Sequence, residues 1–329
     1  MTRDGPPKHF RCEMIAAMQR TTTLADPKYG SLMAFAAAVV WGTLGVFAKA
    51  LYRYGIDPLV LVTMRSGIAF LTLCVIMLFG APELLKVERR HIIDFIYIGV
   101  VGIALEYWVY FETLKRTSAS VASILLYTAP VFVTAGAAAF FGERITRRGL
   151  AALGVVLVGG FLVAGGLEAR VLEQDRAGVL FGLASAVTYA SYTLLSKRTL
   201  PRYGSWTTVF YAFGFGTALL ALLSGRKLSQ LAAVPPEGWA LMVGLALGPT
   251  LLSYGLYVKS LEHIEASRAT VICMMEPVTA SVLGFLLLGE RLAGWQLVGA
   301  LLVLGGVCAL NAWAIPPAPD DVASVEGSD

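Results

Sequence analysis

Charge is scarce in this chain. Only 15% of its 329 residues are Asp, Glu, Lys or Arg, where a soluble domain carries about a quarter. Too little polar material remains to face water on every side. Cysteine is scarce as well: Cys12, Cys74, Cys273 and Cys308 are widely scattered, and three of them sit in apolar runs. That pattern excludes a disulfide framework and a C-x-x-C metal site, and the thiols read as small hydrophobes. The three histidines, His9, His91 and His263, show no ligand spacing. No HExxH, Walker loop or GxSxG is present, so the signatures of an enzyme are missing. No metal site is expected. The formal charge of +4 does not point to nucleic acid, because Lys and Arg lie in short clusters between apolar segments.

What is present is hydrocarbon. Hydrophobic residues make up 57% of the chain, and the mean hydropathy is +0.70. Uncharged runs such as 119–141, 179–196, 209–224 and 295–314 recur throughout. A bilayer core about 30 Å thick needs roughly 20 helical residues. The expected fold class is therefore an all-α polytopic membrane protein with ten transmembrane helices. The spans fall near 30–53, 57–79, 91–114, 119–141, 148–166, 177–196, 206–224, 238–260, 266–288 and 294–314. Residues 1–29 read as a soluble N-terminal tail without the apolar core of a cleavable signal, and 315–329 as an acidic C-terminal tail. One side of this arrangement holds roughly twice as many loop Lys and Arg as the other, which predicts both termini in the cytoplasm.

The chain also repeats itself. Residues 129–145 read APVFVTAGAAAFFGERI and residues 276–292 read EPVTASVLGFLLLGERL. The register that aligns Pro130 with Pro277 also pairs Tyr107 with Tyr254, Tyr110 with Tyr257 and Ala119-Ser120 with Ala266-Ser267. It pairs Gly142-Glu143-Arg144 with Gly289-Glu290-Arg291, and one residue more pairs Lys49 with Lys197. A register kept across four helices marks a duplication into two five-helix repeats, 30–168 and 177–314. Five is odd, so the second copy is expected to sit inverted, as transporter halves that rock around a central site do.

Several short elements occur in order: Trp41-Gly42 with Lys49, Met64-Arg65, the 114–120 turn, Pro130 with Gly142-Glu143-Arg144, Glu276-Pro277 and Gly289-Glu290-Arg291. This pattern resembles the EamA branch of the drug/metabolite transporter superfamily from Ser31 to Ala314. The resemblance implies a ten-helix secondary transporter without a cofactor. Its cavity would be lined largely by the third, fourth, eighth and ninth spans, with the fifth and tenth as outer supports. Members move amino acids, other metabolites or drugs, many of them outward. Fold analogy does not fix the cargo.

Candidate site residues follow from charge inside the spans, where each ionised side chain costs about 2.5–3.5 kcal/mol and must face the bundle interior or water. Glu276 replaces Ala129 of the first copy, and Glu106 replaces Ser253 in reverse, so both carboxylates break the symmetry. Each is read as a cavity group for substrate or proton, with helix packing as the alternative. Arg65 serves either as their counter-ion or as an anchor for a substrate carboxylate. Glu112 is expected to reach headgroup water, and Lys49 and Arg268 to snorkel. Trp41, Tyr107, Tyr110 and Tyr257 lie at interior depth and would suit an amphipathic cargo, ordinary packing being the alternative. Pro130, Pro249 and Pro277 are candidate hinges. Glu143-Arg144 and Glu290-Arg291 are expected to tie each turn to the next helix. Gly178-x-x-x-Gly182, Gly244-x-x-x-Gly248, Gly159-Gly160 and Gly305-Gly306 are expected at helix contacts.

The functional expectation is a transporter of the cytoplasmic membrane that exports amino acids or similar small metabolites by alternating access. Its partners would be a small-molecule substrate, membrane lipid and, if transport is coupled, protons; a monomer suffices to enclose a path. Uptake or exchange of another metabolite, drug or sugar or nucleotide conjugate stays open. So does a membrane receptor or assembly protein that transports nothing.

Overall fold

The computed structural model describes residues 26–168 and 175–313. The C-terminal tail and residues 1–25, with Cys12 and His9, lie outside the described residues, while 27–29, expected in the N-terminal tail, are helical. Helix covers all ten expected segments to within a few residues. In order these are α1 (Pro27–Gly42), α2 (Leu44–Tyr52), α3 (Pro58–Gly80), α4 (Ile92–Gly99), α5 (Glu106–Arg116), α6 (Ala119–Leu126), α7 (Ala129–Phe141) and α8 (Arg147–Val163). There follow α9 (Arg176–Ser224), α10 (Pro236–Ala246), α11 (Ser253–Ser260), α12 (Ala266–Cys273), α13 (Met275–Leu288) and α14 (Gly294–Trp313). Among the described residues, eight continuous stretches are long and apolar enough to cross a membrane. The count falls below ten because α8 has 17 residues and α9 runs through two expected segments in 49 residues.

Short polar side chains start these helices. Asp26 accepts from the Lys28 amide ahead of Pro27, and Asp57 accepts from Leu59 ahead of Pro58. Ser118, Thr146 and Asp175 cap α6, α8 and α9 in the same way. Each satisfies a donor that has no partner inside the first turn. Gly142 and Gly289 end α7 and α13 with φ of 68° and 69°, a left-handed conformation that costs glycine nothing. Inside α9 the chain turns at Gly204 (φ 69°), three residues after Pro201, and the freed Ser205 amide donates to Glu262 at 2.9 Å.

Five expected spans are broken: the first at Thr43, between α1 and α2, with no counterpart in α9, and four others in matched places. A π-helical turn, Val100–Leu105, separates α4 from α5, and another, Leu247–Leu252, separates α10 from α11. Pro249 lies in the second; it would leave the Leu245 carbonyl without its α-helical donor, and the Thr250 hydroxyl donates to that carbonyl at 2.9 Å. The matching turn carries Gly102 instead of proline, packed against Tyr192. Helix also stops between α6 and α7, just before Pro130, and between α12 and α13, just before Glu276-Pro277.

The centre of the bundle is α9, which packs on α3, α4, α5 and α7, while α1 packs on α11, α12 and α13. Tyr192, Tyr257, Phe95 and Phe213 are its largest fully buried side chains. Helices α8 and α14 stand aside and pack mainly on each other. Their crossing is reciprocal: Gly159 abuts the Gly299 carbonyl and Val303, while Gly306 abuts Val156 and the Ala152 carbonyl. These are the same contacts exchanged between residues 147 apart in sequence. Gly178, Gly182 and Gly244 also meet neighbouring helices, whereas Gly248 and Gly305 face open space. Outward surfaces carry large exposed apolar side chains, Phe79, Phe140, Leu180 and Leu222 among them. Surface of that kind is stable against lipid and not against water. The protein is an integral membrane protein.

Candidate functional site

Arg65 is the eighth of the 23 residues of α3 and is 4% exposed. Its guanidinium lies 4.5 Å from the centroid of the Tyr107 ring, a stacking that a planar, weakly hydrated cation favours. Its Nε is buried and finds no hydrogen-bond partner among the described residues. Glu106, the first residue after the π turn, is 6% exposed. Glu276, the second residue of α13, is partly exposed. Both carboxylates lie within electrostatic reach of Arg65. Among the described residues neither comes close enough to Arg65 to form an ion pair. One cation and two acids thus share the interior with none of them paired, a costly arrangement in low dielectric.

Aromatic rings wall this group. The Tyr107 and Tyr254 hydroxyls bond each other at 3.0 Å across 147 residues of sequence. Residues matched by the repeat here touch one another. Trp41 stands edge-on to Tyr254, ring centroids 5.1 Å apart, and tilted to Tyr257 at 5.3 Å. Tyr257 is fully buried, and its hydroxyl bonds Thr193 at 2.8 Å and Thr270 at 3.0 Å. Its contacts are those of packing. Tyr110 stays partly exposed beside Phe111.

The α6–α7 and α12–α13 breaks converge on one cavity. Pro130, Glu276, Tyr127, Tyr189, Thr270 and Cys273 line a cavity of about 30 Å³, room for about one water. Glu106 follows a π turn directly, and Glu276 follows a helix break that faces the cavity, where irregular backbone is tolerated. Pro249 and Pro277 are buried at the corresponding points of the second copy.

Other expectations need correction. Glu143 does not tie its turn to α8. Its carboxylate accepts from the Ala266 amide (2.7 Å), the Ser267 amide (3.2 Å) and the Ser267 hydroxyl (2.6 Å), all at the start of α12. Glu290 pairs instead with Lys49, which is therefore not simply solvated. Arg268 donates to Asn311 at 2.7 Å, and Glu112 pairs with Lys115 at 2.6 Å. Among the described residues no His, Cys, Asp and Glu cluster suits a metal. The Arg65–Tyr107 stacking and the Tyr107–Tyr254 contact escape sequence reasoning, although the repeat register already paired the two tyrosines.

Comparison with known proteins decides the class. The model of the EamA-like transporter family matches residues 28–165 and again 176–312. The chain belongs to the EamA-like transporter family. It is a transporter and not an enzyme. An uncharacterized transporter of Archaeoglobus fulgidus is 29% identical over 87% of this chain and 97% of its own. The uncharacterized inner membrane transporter YicL of Salmonella typhimurium is 25% identical over 88% of this chain and 97% of its own. A Streptantibioticus cattleyicolor protein described as a "probable terminal-alkyne amino-acid exporter" is 31% identical over 59% of this chain and 64% of its own. A solved crystal structure superposes with a TM-score of 0.73, covering 88% of this chain and 99% of that one at 20% identity, a likeness of fold.

Proposed function

We propose that this EamA-family transporter exports amino acids or closely similar small metabolites across the cytoplasmic membrane by alternating access. The observation that carries the reading is the unpaired interior trio. Arg65 suits a carboxylate, Glu106 and Glu276 suit an ammonium, and Trp41, Tyr107 and Tyr110 offer rings to the rest of the molecule. A zwitterion with an apolar or aromatic side chain complements that set. The partial relative described as an amino-acid exporter points the same way. Tyr257 would support this wall from behind, and the breaks at Pro130, Pro249 and Pro277 would serve as hinges.

The architecture proposed is ten crossings in two inverted repeats, 30–168 and 177–314. Counting α8 as a crossing and dividing α9 at Gly204 gives that number. The matched π turns, the matched breaks and the reciprocal α8–α14 crossing support a two-fold relation between the halves. Both termini would then lie in the cytoplasm, as the loop charges favour.

The test is counterflow in proteoliposomes loaded with a mixture of the twenty amino acids, with and without a pH gradient. Efflux of a subset is expected, and Glu106→Gln should lower it by about tenfold or more with normal insertion, as loss of a buried charged contact would. Unchanged efflux in Glu106→Gln removes that residue from the site. No efflux of any amino acid by folded protein overturns the cargo assigned.

A further inference from the structure

The two Gly-Glu-Arg turns have the same backbone and different partners. Gly142 has φ 68° and ψ 23°, and Gly289 has φ 69° and ψ 21°. The Glu143 amide donates to the Ala137 carbonyl at 3.3 Å, and the Glu290 amide to the matching Gly284 carbonyl at 3.2 Å. Yet Glu143 gathers three donors from Ala266 and Ser267, while Glu290 leaves the matching Ala119 and Ser120 alone.

The lysines show the same division. Lys197 donates to the carbonyls of Leu261 (2.5 Å) and Ile264 (2.6 Å) at the end of α11. Together Lys197 and Glu143 hold both sides of the 261–267 connection, cation on carbonyls and carboxylate on amides, as helix ends favour. Its counterpart Lys49 holds no carbonyl. Lys49 pairs with Glu290 instead, the two side chains 55% and 45% exposed. The packing agrees: α12 lies against α7, whereas the matching α6 makes no comparable contact with α13. One connection is clamped, and on the opposite connection both clamp residues are present, paired with each other.

We propose that Lys49 and Glu290 form the second of two alternating clamps. In the other conformation they let go of each other and hold the 114–120 connection, Lys49 on the carbonyls of Leu114 and Thr117 and Glu290 on the amides of Ala119 and Ser120. Glu143 and Lys197 then release 261–267. The four residues position the helices and need not touch cargo. The inference rests on the alternating-access reading above.

The test is pulsed electron–electron resonance on full-length protein in nanodiscs, with native cysteines replaced. One spin-label pair sits at Lys115 and Arg291, the other at Glu265 and Arg144, all exposed positions. Each pair should give a short and a long distance, populated in opposition. Glu290→Gln or Lys49→Gln should deplete the short Lys115–Arg291 population by about tenfold, and Glu143→Gln or Lys197→Gln should enrich it by a similar factor, as expected for losing a charge-assisted bond set. Shifts in the same direction for both families overturn the proposal, as does an invariant Lys115–Arg291 distance. Lys49 and Glu290 are half exposed, so their variants should fold even where Glu143→Gln does not. Opposed shifts without amino-acid movement would leave the clamps standing and remove the cargo assignment. Amino-acid movement with fixed distances would remove the clamps alone.

Discussion

Gly159→Ala tests the reciprocal crossing of α8 and α14. A β-carbon built there lies 2.7 Å from the Gly299 carbonyl oxygen, 2.8 Å from Val303 Cγ2 and 2.9 Å from the Val303 amide nitrogen. Two of these are backbone atoms, which no rotamer change can move aside. Ordinary contact needs 3.4–4 Å, so the helices must part by about 0.5–1 Å, a gap that forfeits a quarter to a half of each contact's dispersion energy. The cost is that of overpacking, about 1–3 kcal/mol. In detergent it should lower Tm on the order of 5 °C, read by fluorescence-detected size exclusion after heating. Gly299→Ala meets the Gly159 carbonyl at 2.7 Å and should cost the same, and the double variant should cost less than the two together. Gly306→Ala meets a valine methyl first and should cost less. Gly154 and Gly305 lie on the same helices with open space around them, so their alanine variants should hold or slightly raise Tm. Equal Tm for Gly154→Ala and Gly159→Ala would refute the crossing.

Two further outcomes follow from the site. Arg65→Lys keeps the charge but loses the planar face on Tyr107, so efflux should fall about tenfold or more with normal insertion; a wild-type rate would assign Arg65 to charge balance alone. Tyr107→Phe and Tyr254→Phe should each lower stability by about 0.5–1.5 kcal/mol. Both remove one shared bond, so the double variant should cost no more than the larger single one, and strict additivity would show that the hydroxyls do not meet.

The sequence already disclosed much of this, and the limits are physical. Composition gave the helical membrane class because lipid leaves the backbone few other choices. Span ends were legible from Asp57-Pro58, Gly142 and Gly289, whose conformational demands are local, whereas the Asp26-Pro27 start of α1 was read as tail. The π turns at 100–105 and 247–252 were not, since one residue added locally, i→i+5 in place of i→i+4, leaves no mark on a uniformly apolar run. Pro249 announced a disturbance in one, yet Gly102 shows that proline is not required. The partners of Glu143, Glu290, Lys49 and Lys197 depend on which distant connection lies within reach. Sequence spacing carries no such information, and the structure's one-sided answer is a property of conformation.

The tyrosine pair at 107 and 254 has a consequence for energy. Under the two-fold relation proposed above, two residues matched by the duplication that bond each other would lie on the axis relating the halves. Under the inversion proposed, a chain with identical halves would have two end states of equal energy by symmetry, and it would rest as often open one way as the other. Every unmatched residue lifts that degeneracy. Glu106 opposite Ser253, Glu276 opposite Ala129, and Arg65 opposite the uncharged Ala212-Phe213 are charge mismatches of this kind. They would set the resting bias of the empty protein as well as its grip on cargo.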